Sequence, residues 1–331
     1  MDFFNYRKGN LFCEDVPAER IAAEVGTPVA LRVNPDVDPK THTYITTGKK
    51  ENKFGIDLET ASRMVRGLSK YPGVEMRGIH MHIGSQITTT EPYGEALDKV
   101  LAFVKAHEGA QAPFEYINTG GGFGIIYDTE DAKEAADFAK VIVPRVKASG
   151  RKLLMEPGRC ICGNSGVLLT RVLYRKQAGN KMFVIVDAAM NDLIRPSLYG
   201  SYHLIWPAKT DCPPARRGEA APSADLSPCD VVGGVCESGD FFCKDRPMPE
   251  TGRGDLISIF SAGAYGHTMS SNYNSRRRAA EVLVDGNKYV VARRRETWDD
   301  LIACEVAAIG GKSAKAAKTG KPAAKKQASK P

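Results

Sequence analysis

Four short apolar segments, each breaking into glycine or small polar residues, constrain this 331-residue chain more than any other feature. They read "VALRVNPDVD", "MRGIHMHIGSQI", "FEYINTGGGFG" and "KLLMEPGRC". Between them lie the helix-like stretches "DLETASRMVRGLSKYP", "EPYGEALDKVLAFVKAHEG" and "DAKEAADFAKVIVPRVKASG", the first and third beginning after or at an Asp, an N-cap signal. Strand and helix alternating at this spacing predict βα units around a parallel sheet. Such folds build their sites at the C-terminal ends of strands, which is where the unusual residues of this chain fall.

From about residue 166 the pattern changes to short β-rich runs divided by Gly, Pro and Asp, with "VDGNKYVV" as a hairpin signal. Residues 207–228 read as a polar, proline-rich loop inside this second region. The expected fold class is therefore α/β plus all-β. A closed (β/α)₈ barrel needs about 250 residues. Residues 29–165 supply four βα units, about half of one, which predicts two open sheet edges.

The net charge of +7 suggests a nucleic-acid partner until it is located. Seven lysines lie in the tail "GKSAKAAKTGKPAAKKQASKP", and without them 39 basic residues face 39 acidic ones. The tail, 310–331, is expected to be disordered and solvated, and nucleic acid is not the expected partner. No apolar run reaches membrane-spanning length, and "MDFFNYRKGNLFCEDV" lacks the basic and apolar regions of a signal peptide, so a soluble cytoplasmic protein is expected. Eight cysteines show neither paired CxxC nor Cys/His zinc spacing. Metal is not expected: His80 and His82 are read as facing opposite sides of their strand.

The motifs carry chemistry or ordinary structure. The glycines of "NTGGGFG", among them Gly121 and Gly122, let backbone N–H groups approach an anion, or simply make a tight turn. Glu156 could hold a ring nitrogen protonated and Arg159 could pair with a phosphate or carboxylate, or the two form a surface ion pair. His82 could stack on a planar ring while Ser85 donates to a phosphate, or be a satisfied core histidine. Cys236 could act as a general acid beside Glu237 as an ammonium partner, or be a buried small hydrophobe. Arg195 and Tyr199, four apart, suit one carboxylate, and Tyr265 lies in a small-residue loop.

In this order, "HIGS", "GGG", "EPGR" and "CESGD" resemble the diaminopimelate decarboxylases, fold type III pyridoxal-phosphate enzymes, over residues 1–28 and 29 to about 305. The segment "NPDVDPKTHTYITTGKKENKFGID" is also very like that family, and less like the ornithine and arginine decarboxylases. The resemblance implies a partial TIM-type, alanine-racemase-like barrel (29–165) that binds pyridoxal 5'-phosphate. A β-sandwich or β-barrel domain (166–309) would follow, and residues 1–28 would belong with it. It implies decarboxylation of meso-2,6-diaminopimelate to L-lysine and CO2 in a homodimer with a shared active site. His82 would stack on the pyridine ring and Glu156 would pair with its nitrogen. Ser85, Gly121, Gly122 and Tyr265 would bind phosphate, with Arg159 beside them. Arg159, Arg195, Tyr199 and Tyr265 would meet the substrate carboxylate, Glu237 its distal ammonium, and Cys236, from the partner subunit, would protonate the carbanion.

One family motif is missing. The Schiff-base lysine, expected in an early barrel strand within Tyr-Ala-x-Lys-Ala-Asn, has no counterpart. "IAAEVGTPV", which should enter the first barrel strand, runs straight into "ALRVNPDVD", which resembles the fifth. The missing piece is on the order of 120 residues. Lys152 begins its strand at the wrong end, and Lys49, Lys50 and Lys53 sit in a polar loop. The expectation is thus family membership without the family's lysine, and the alternatives are a non-enzymatic cofactor- or phosphate-binding remnant or a decarboxylase of a related diamino acid such as ornithine or arginine.

Overall fold

The computed structural model describes residues 3–7, 10–14, 27–38, 54–71, 73–109, 112–214 and 226–308. Most of "NPDVDPKTHTYITTGKKENKFGID" and the whole tail lie outside them. The chain divides into two compact units, Met1–Met269 and Ser270–Pro331.

The first unit opens with strands β1 (Phe3–Arg7), β2 (Asn10–Glu14), β3 (Thr27–Asn34) and β4 (Ile56–Asp57). Helix α1 (Leu58–Arg66) follows, with Asp57 at its N-cap accepting the Thr60 N–H at 2.8 Å. Then come β5 (Val74–Met81), α2 (Glu91–Ala106), β6 (Tyr116–Asn118), α3 (Ala135–Ala148), β7 (Lys152–Leu154) and the single turn α4 (Arg159–Cys162). Strands β3, β5, β6 and β7 pair in parallel, in that order, as the βα pattern requires. In α2 the buried residues Tyr93, Ala96, Leu97, Val100, Phe103 and Val104 recur every three or four positions. Phe138, Ile142 and Val146 form the matching stripe of α3. Both stripes pack on Ile79, Met81 and Ile117 of the sheet, all fully buried. Each such side chain stabilises the fold by about 1.5–3 kcal/mol relative to exposure.

The edges of this half barrel differ from expectation. Residues 1–28 were expected to lie with the β domain, but β1 pairs antiparallel with β3 and carries β2 on its far side. An antiparallel hairpin offers the same ladder of N–H and C=O groups that a missing barrel strand would, and β4 extends that cover along β3. The other edge, β7, has one strand neighbour among the described residues, and Leu154 and Met155 there are 41% and 42% exposed.

A six-stranded sheet with its own core completes the first unit. It contains β8 (Leu168–Ala178), β9 (Lys181–Val186), β10 (Ile205–Pro207), β11 (Leu226–Val232), β12 (Phe241–Pro249) and β13 (Leu256–Ile259), with the short helix α5 (Arg195–Tyr199) after β9. The partial barrel followed by a β domain matches the expected fold class. The sequence boundary near 166 marks the change of sheet, whereas the compact unit continues to Met269. The second unit holds the hairpin β14 (Glu281–Asp285) and β15 (Lys288–Arg293) with two short helices, α6 (Trp298–Leu301) and α7 (Ala303–Ala308). The turn at Asp285–Lys288 is the one "VDGNKYVV" predicts. Val282, Leu283, Val284, Tyr289, Val290 and Val291 of this hairpin are 51–76% exposed.

Candidate functional site

The C-terminal ends of β5, β6 and β7 converge, and the loops beyond them are joined to one another. Gln86, held at φ +58°, uses its side-chain amide as a strand would use its backbone: Nε2 donates to the Ile125 carbonyl at 2.6 Å and Oε1 accepts the Ile125 N–H at 3.1 Å. Ile87 N–H donates to the Gly122 carbonyl at 2.9 Å, and Gly124 N–H returns to the Ile87 carbonyl at 2.8 Å. These bonds fasten "HIGSQ" to "NTGGGFG". Asn118 fastens the second loop to the third. Its Oδ1 accepts the Gly120 N–H at 2.8 Å and its Nδ2 donates to Glu156 Oε1 at 2.7 Å, while Glu156 N–H donates to the Gly120 carbonyl at 2.8 Å.

The glycines are there for close packing. A Cβ on Gly121 would stand 2.1 Å from the Glu156 carbonyl oxygen, and one on Gly122 (φ +98°) would stand 2.0 Å from the Gly84 oxygen. Beneath them the fully buried Tyr93 donates its hydroxyl to the Gly121 carbonyl, and burial pushes its pKa up, so it stays a donor. Gly121 N–H in turn donates to His82 Nδ1 at 3.2 Å, which leaves the neutral ring's proton on Nε2. Burial, then the Arg32 charge, holds the His82 pKa down at about 4. His80 and His82 do not face opposite sides: residues two apart on a strand share a face, and burial, Arg32 and His82 together hold the His80 pKa at about 3.

Above these loops lies a cavity of about 550 Å³ lined by His82, Ser85, Arg159, Arg195, Tyr199 and Tyr265 among others. Six residues singled out in the sequence thus share one cavity. Arg159, 7% exposed, donates from Nη1 to the Tyr127 hydroxyl at 2.6 Å and from Nη2 to Ser85 Oγ at 2.9 Å, and lies 4.8 Å over the Tyr265 ring. Both hydroxyls accept from Arg159 and so keep their own protons to donate. Arg195, 6% exposed, lies 4.6 Å over the Tyr127 ring, and burial lowers its pKa from the usual arginine value. Among the described lining residues the carboxylate is Glu130, which accepts the Tyr127 and Asp128 N–H groups at 2.9 and 2.8 Å. Beside it, the described lining carries two guanidiniums and several hydroxyls together with His82 and Gln86, a set rich in donors that suits an anionic ligand.

Other sequence candidates stand outside the lining. Gly121 and Gly122 are not among the lining residues, and Glu156 is exposed, bonded to Asn118 and 3.5 Å from His80 Nε2. Cys236 and Glu237 are exposed in the β11–β12 loop, where Glu237 Oε1 accepts the Gly239 N–H at 3.0 Å. Asp240, 5% exposed, orders that loop by accepting the Met190 and Val235 N–H groups, both at 2.7 Å. Sequence reasoning missed Gln86, Asn118, Tyr127 and His203. Only Asn118, an amide at the last residue of a strand directly before the glycines, left a local signal.

Pyridoxal phosphate requires an anion site, a flat contact surface and a lysine. The donors around Arg159 and the imidazole of His82 fit its non-covalent needs. No lysine is among the described residues lining the cavity.

Residues 17–163 match the model of the pyridoxal-dependent decarboxylase family's pyridoxal-binding domain, and the cofactor of that family is pyridoxal phosphate. The diaminopimelate decarboxylase of Aquifex aeolicus is 46% identical over 278 residues, 83% of this chain and 63% of that enzyme. The one from Neisseria meningitidis serogroup A is 45% identical over 295 residues, 88% of this chain and 69% of the relative. The crystal structure of Helicobacter pylori diaminopimelate decarboxylase complexed with L-lysine superposes with a TM-score of 0.78 at 40% identity, covering 88% of this chain and 69% of that one. This chain therefore spans 63–69% of the length of these relatives. Among the described residues no helix is long and apolar enough to cross a membrane. Identity at this level over more than two thirds of the Neisseria enzyme, on the same fold and with strand-end loops joined around one cavity, means that the chain belongs to the diaminopimelate decarboxylase family.

Proposed function

We propose that this chain carries the phosphate- and carboxylate-binding side of a site for decarboxylating meso-2,6-diaminopimelate to L-lysine and CO2. The observation that carries this reading is the cavity in which Arg159 and Arg195 converge with the hydroxyl-bearing side chains of Ser85, Tyr127, Tyr199 and Tyr265. Pyridoxal phosphate, when bound, supplies the electron sink that decarboxylation needs. In this reading His82 lies against its ring and Glu156 meets the ring nitrogen. Ser85 and Tyr265 donate to its phosphate with Arg159 beside them, and the backbone of Gly121 and Gly122 borders it. Arg159, Arg195 and Tyr199 hold the substrate carboxylate, while Tyr127, wedged between the arginines, keeps them apart. Cys236 and Glu237, placed away from this chain's own cavity lining, serve the cavity of a partner subunit, with Cys236 as proton donor and Glu237 as ammonium partner. That arrangement makes the working form a homodimer.

Among the described residues the cavity lining offers no lysine, and in this reading those residues hold the cofactor by non-covalent contacts. An absorption scan with added pyridoxal phosphate, followed by borohydride reduction and peptide mapping, tests this. Retained cofactor without a labelled peptide agrees with it. A pyridoxyl label on one lysine would show that a residue outside the described lining takes the lysine's role, and no retained cofactor would sink the reading.

A further inference from the structure

Arg195 is one of two buried guanidiniums that line the cavity. Its Nη1 lies 2.9 Å from Nε2 of His203, a residue with no exposed surface. The other ring nitrogen, Nδ1, lies 2.8 Å from the Phe260 carbonyl oxygen. A carbonyl only accepts, so Nδ1 must carry a proton. A guanidinium only donates, so Nε2 must present its lone pair. A single state satisfies both contacts: the neutral ring protonated at Nδ1. Burial, with the charges of Arg195, Arg159 and Arg246 outweighing the Phe260 bond, favours the same state by lowering the His203 pKa to about 4.

The histidine is itself held from several sides. Arg246 Nη1 donates to the His203 backbone carbonyl at 3.1 Å, and Phe260 N–H donates to the Leu204 carbonyl at 2.8 Å. The Tyr127 ring meets the His203 ring edge-on, with centroids 5.3 Å apart at 78°. Arg195 thus has an aromatic face on one side and a lone pair on another. Its remaining N–H groups are left for the cavity.

We propose that His203 is a positioning residue that, by accepting a hydrogen bond from Arg195, aims the rest of the guanidinium at the carboxylate of an amino-acid ligand in the cavity. The identity of the ligand rests on the reading given under Proposed function; the positioning does not. Donor geometry is what this contact adds. Without it the guanidinium keeps its charge and its ring contact but loses its fixed rotation.

Three full-length chains separate these roles: wild type, His203→Phe, which keeps a ring against Tyr127 but offers no acceptor, and His203→Gln, whose Oε1 can accept. Phenylglyoxal modification of Arg195, followed by peptide mass mapping, should be about tenfold faster in His203→Phe and within about twofold of wild type in His203→Gln, the scale of one charge-assisted hydrogen bond. L-Lysine affinity by calorimetry should fall about tenfold in His203→Phe and recover in His203→Gln. Melting temperatures measured alongside separate a general loss of structure from a loss of aim. Equal Arg195 reactivity in wild type and a folded His203→Phe would overturn the proposal. Should His203→Phe fail to fold, the imidazole ¹⁵N spectrum of the wild type decides. The Nδ1–H tautomer at neutral pH supports the proposal, and an Nε2–H or doubly protonated ring refutes it. Faster Arg195 modification with unaltered or undetectable L-lysine binding would leave His203 as the positioner and remove the carboxylate assignment instead.

Discussion

Gly121→Ala is the substitution whose cost follows most directly from the packing of the strand-end loops. The new methyl would stand 2.1 Å from the Glu156 carbonyl oxygen, where ordinary contact begins at 3.4 Å, so the "EPGR" backbone must retreat by about 1.3 Å. That retreat opens the bonds from Glu156 N–H to the Gly120 carbonyl (2.8 Å) and from Thr119 N–H to the Leu154 carbonyl (3.0 Å), and it pulls Glu156 from Asn118. Two backbone bonds at about 1 kcal/mol each, plus about 1–3 kcal/mol for overpacking, give a loss of roughly 3–5 kcal/mol. Arg159 starts the turn that follows, so ligand binding should fail with it. Gly158→Ala is the control. A methyl there meets nothing within 4 Å, and the change costs no more than about 1 kcal/mol as an N-cap replacement. Urea titration of both variants, followed by near-ultraviolet dichroism and by pyridoxal-phosphate binding, makes the comparison. Equal midpoints for the two variants, or a Gly121→Ala protein that binds the cofactor normally, would refute the packing argument.

Tyr93→Phe keeps the stacked contact with Phe123 (5.0 Å) and the edge contact with Phe138 (5.4 Å) but strands the Gly121 carbonyl, so it should lose about 1–2 kcal/mol in urea unfolding. Arg159→Lys cannot reach Tyr127 and Ser85 together and should weaken pyridoxal-phosphate binding about tenfold by fluorescence titration. His80, His82 and His203 are held neutral, with pKa values of about 3, 4 and 4. The unfolded chain takes up their protons near pH 6.5, so the stability they contribute is complete above about 6.5 and falls steadily as pH drops towards 4. His203→Gln should flatten part of that slope in melting curves recorded between pH 7 and 4.

The βα rhythm, the strand ends and the β14–β15 turn were legible because each rests on a period or a turn signal a few residues long. Asp57 was readable as a cap for the same reason. The start of α3 was not: the helix begins after Glu134, because Asp131 pairs with Lys133 at 3.0 Å and Lys133 N–H is tied to the Thr88 carbonyl, which keeps the approach extended. The cavity residues His82, Ser85, Arg159, Arg195, Tyr199 and Tyr265 came through family resemblance, since singly each is a weak signal. Gln86 and His203 act through partners 39 and 57 positions away, on Ile125 and Phe260, and no local pattern encodes such a pairing. The hairpin cover on β3 escaped for a related reason. Backbone groups pair with whatever edge is available, whichever side chains they carry.

The β14–β15 ribbon has a consequence for handling the protein. Alternation places Val282 and Val284 on one face, opposite Val291 and Tyr289, and Leu283 on the other, opposite Val290, so each face carries apolar side chains, and exposures of 51–76% leave both open to solvent. It is a short, β-branched segment without proline, of the kind that recruits identical copies into intermolecular sheets. Concentrated stocks should therefore precipitate through this ribbon before the barrel half unfolds, and a lysine at position 283 should raise the solubility limit while leaving the strand-end loops untouched.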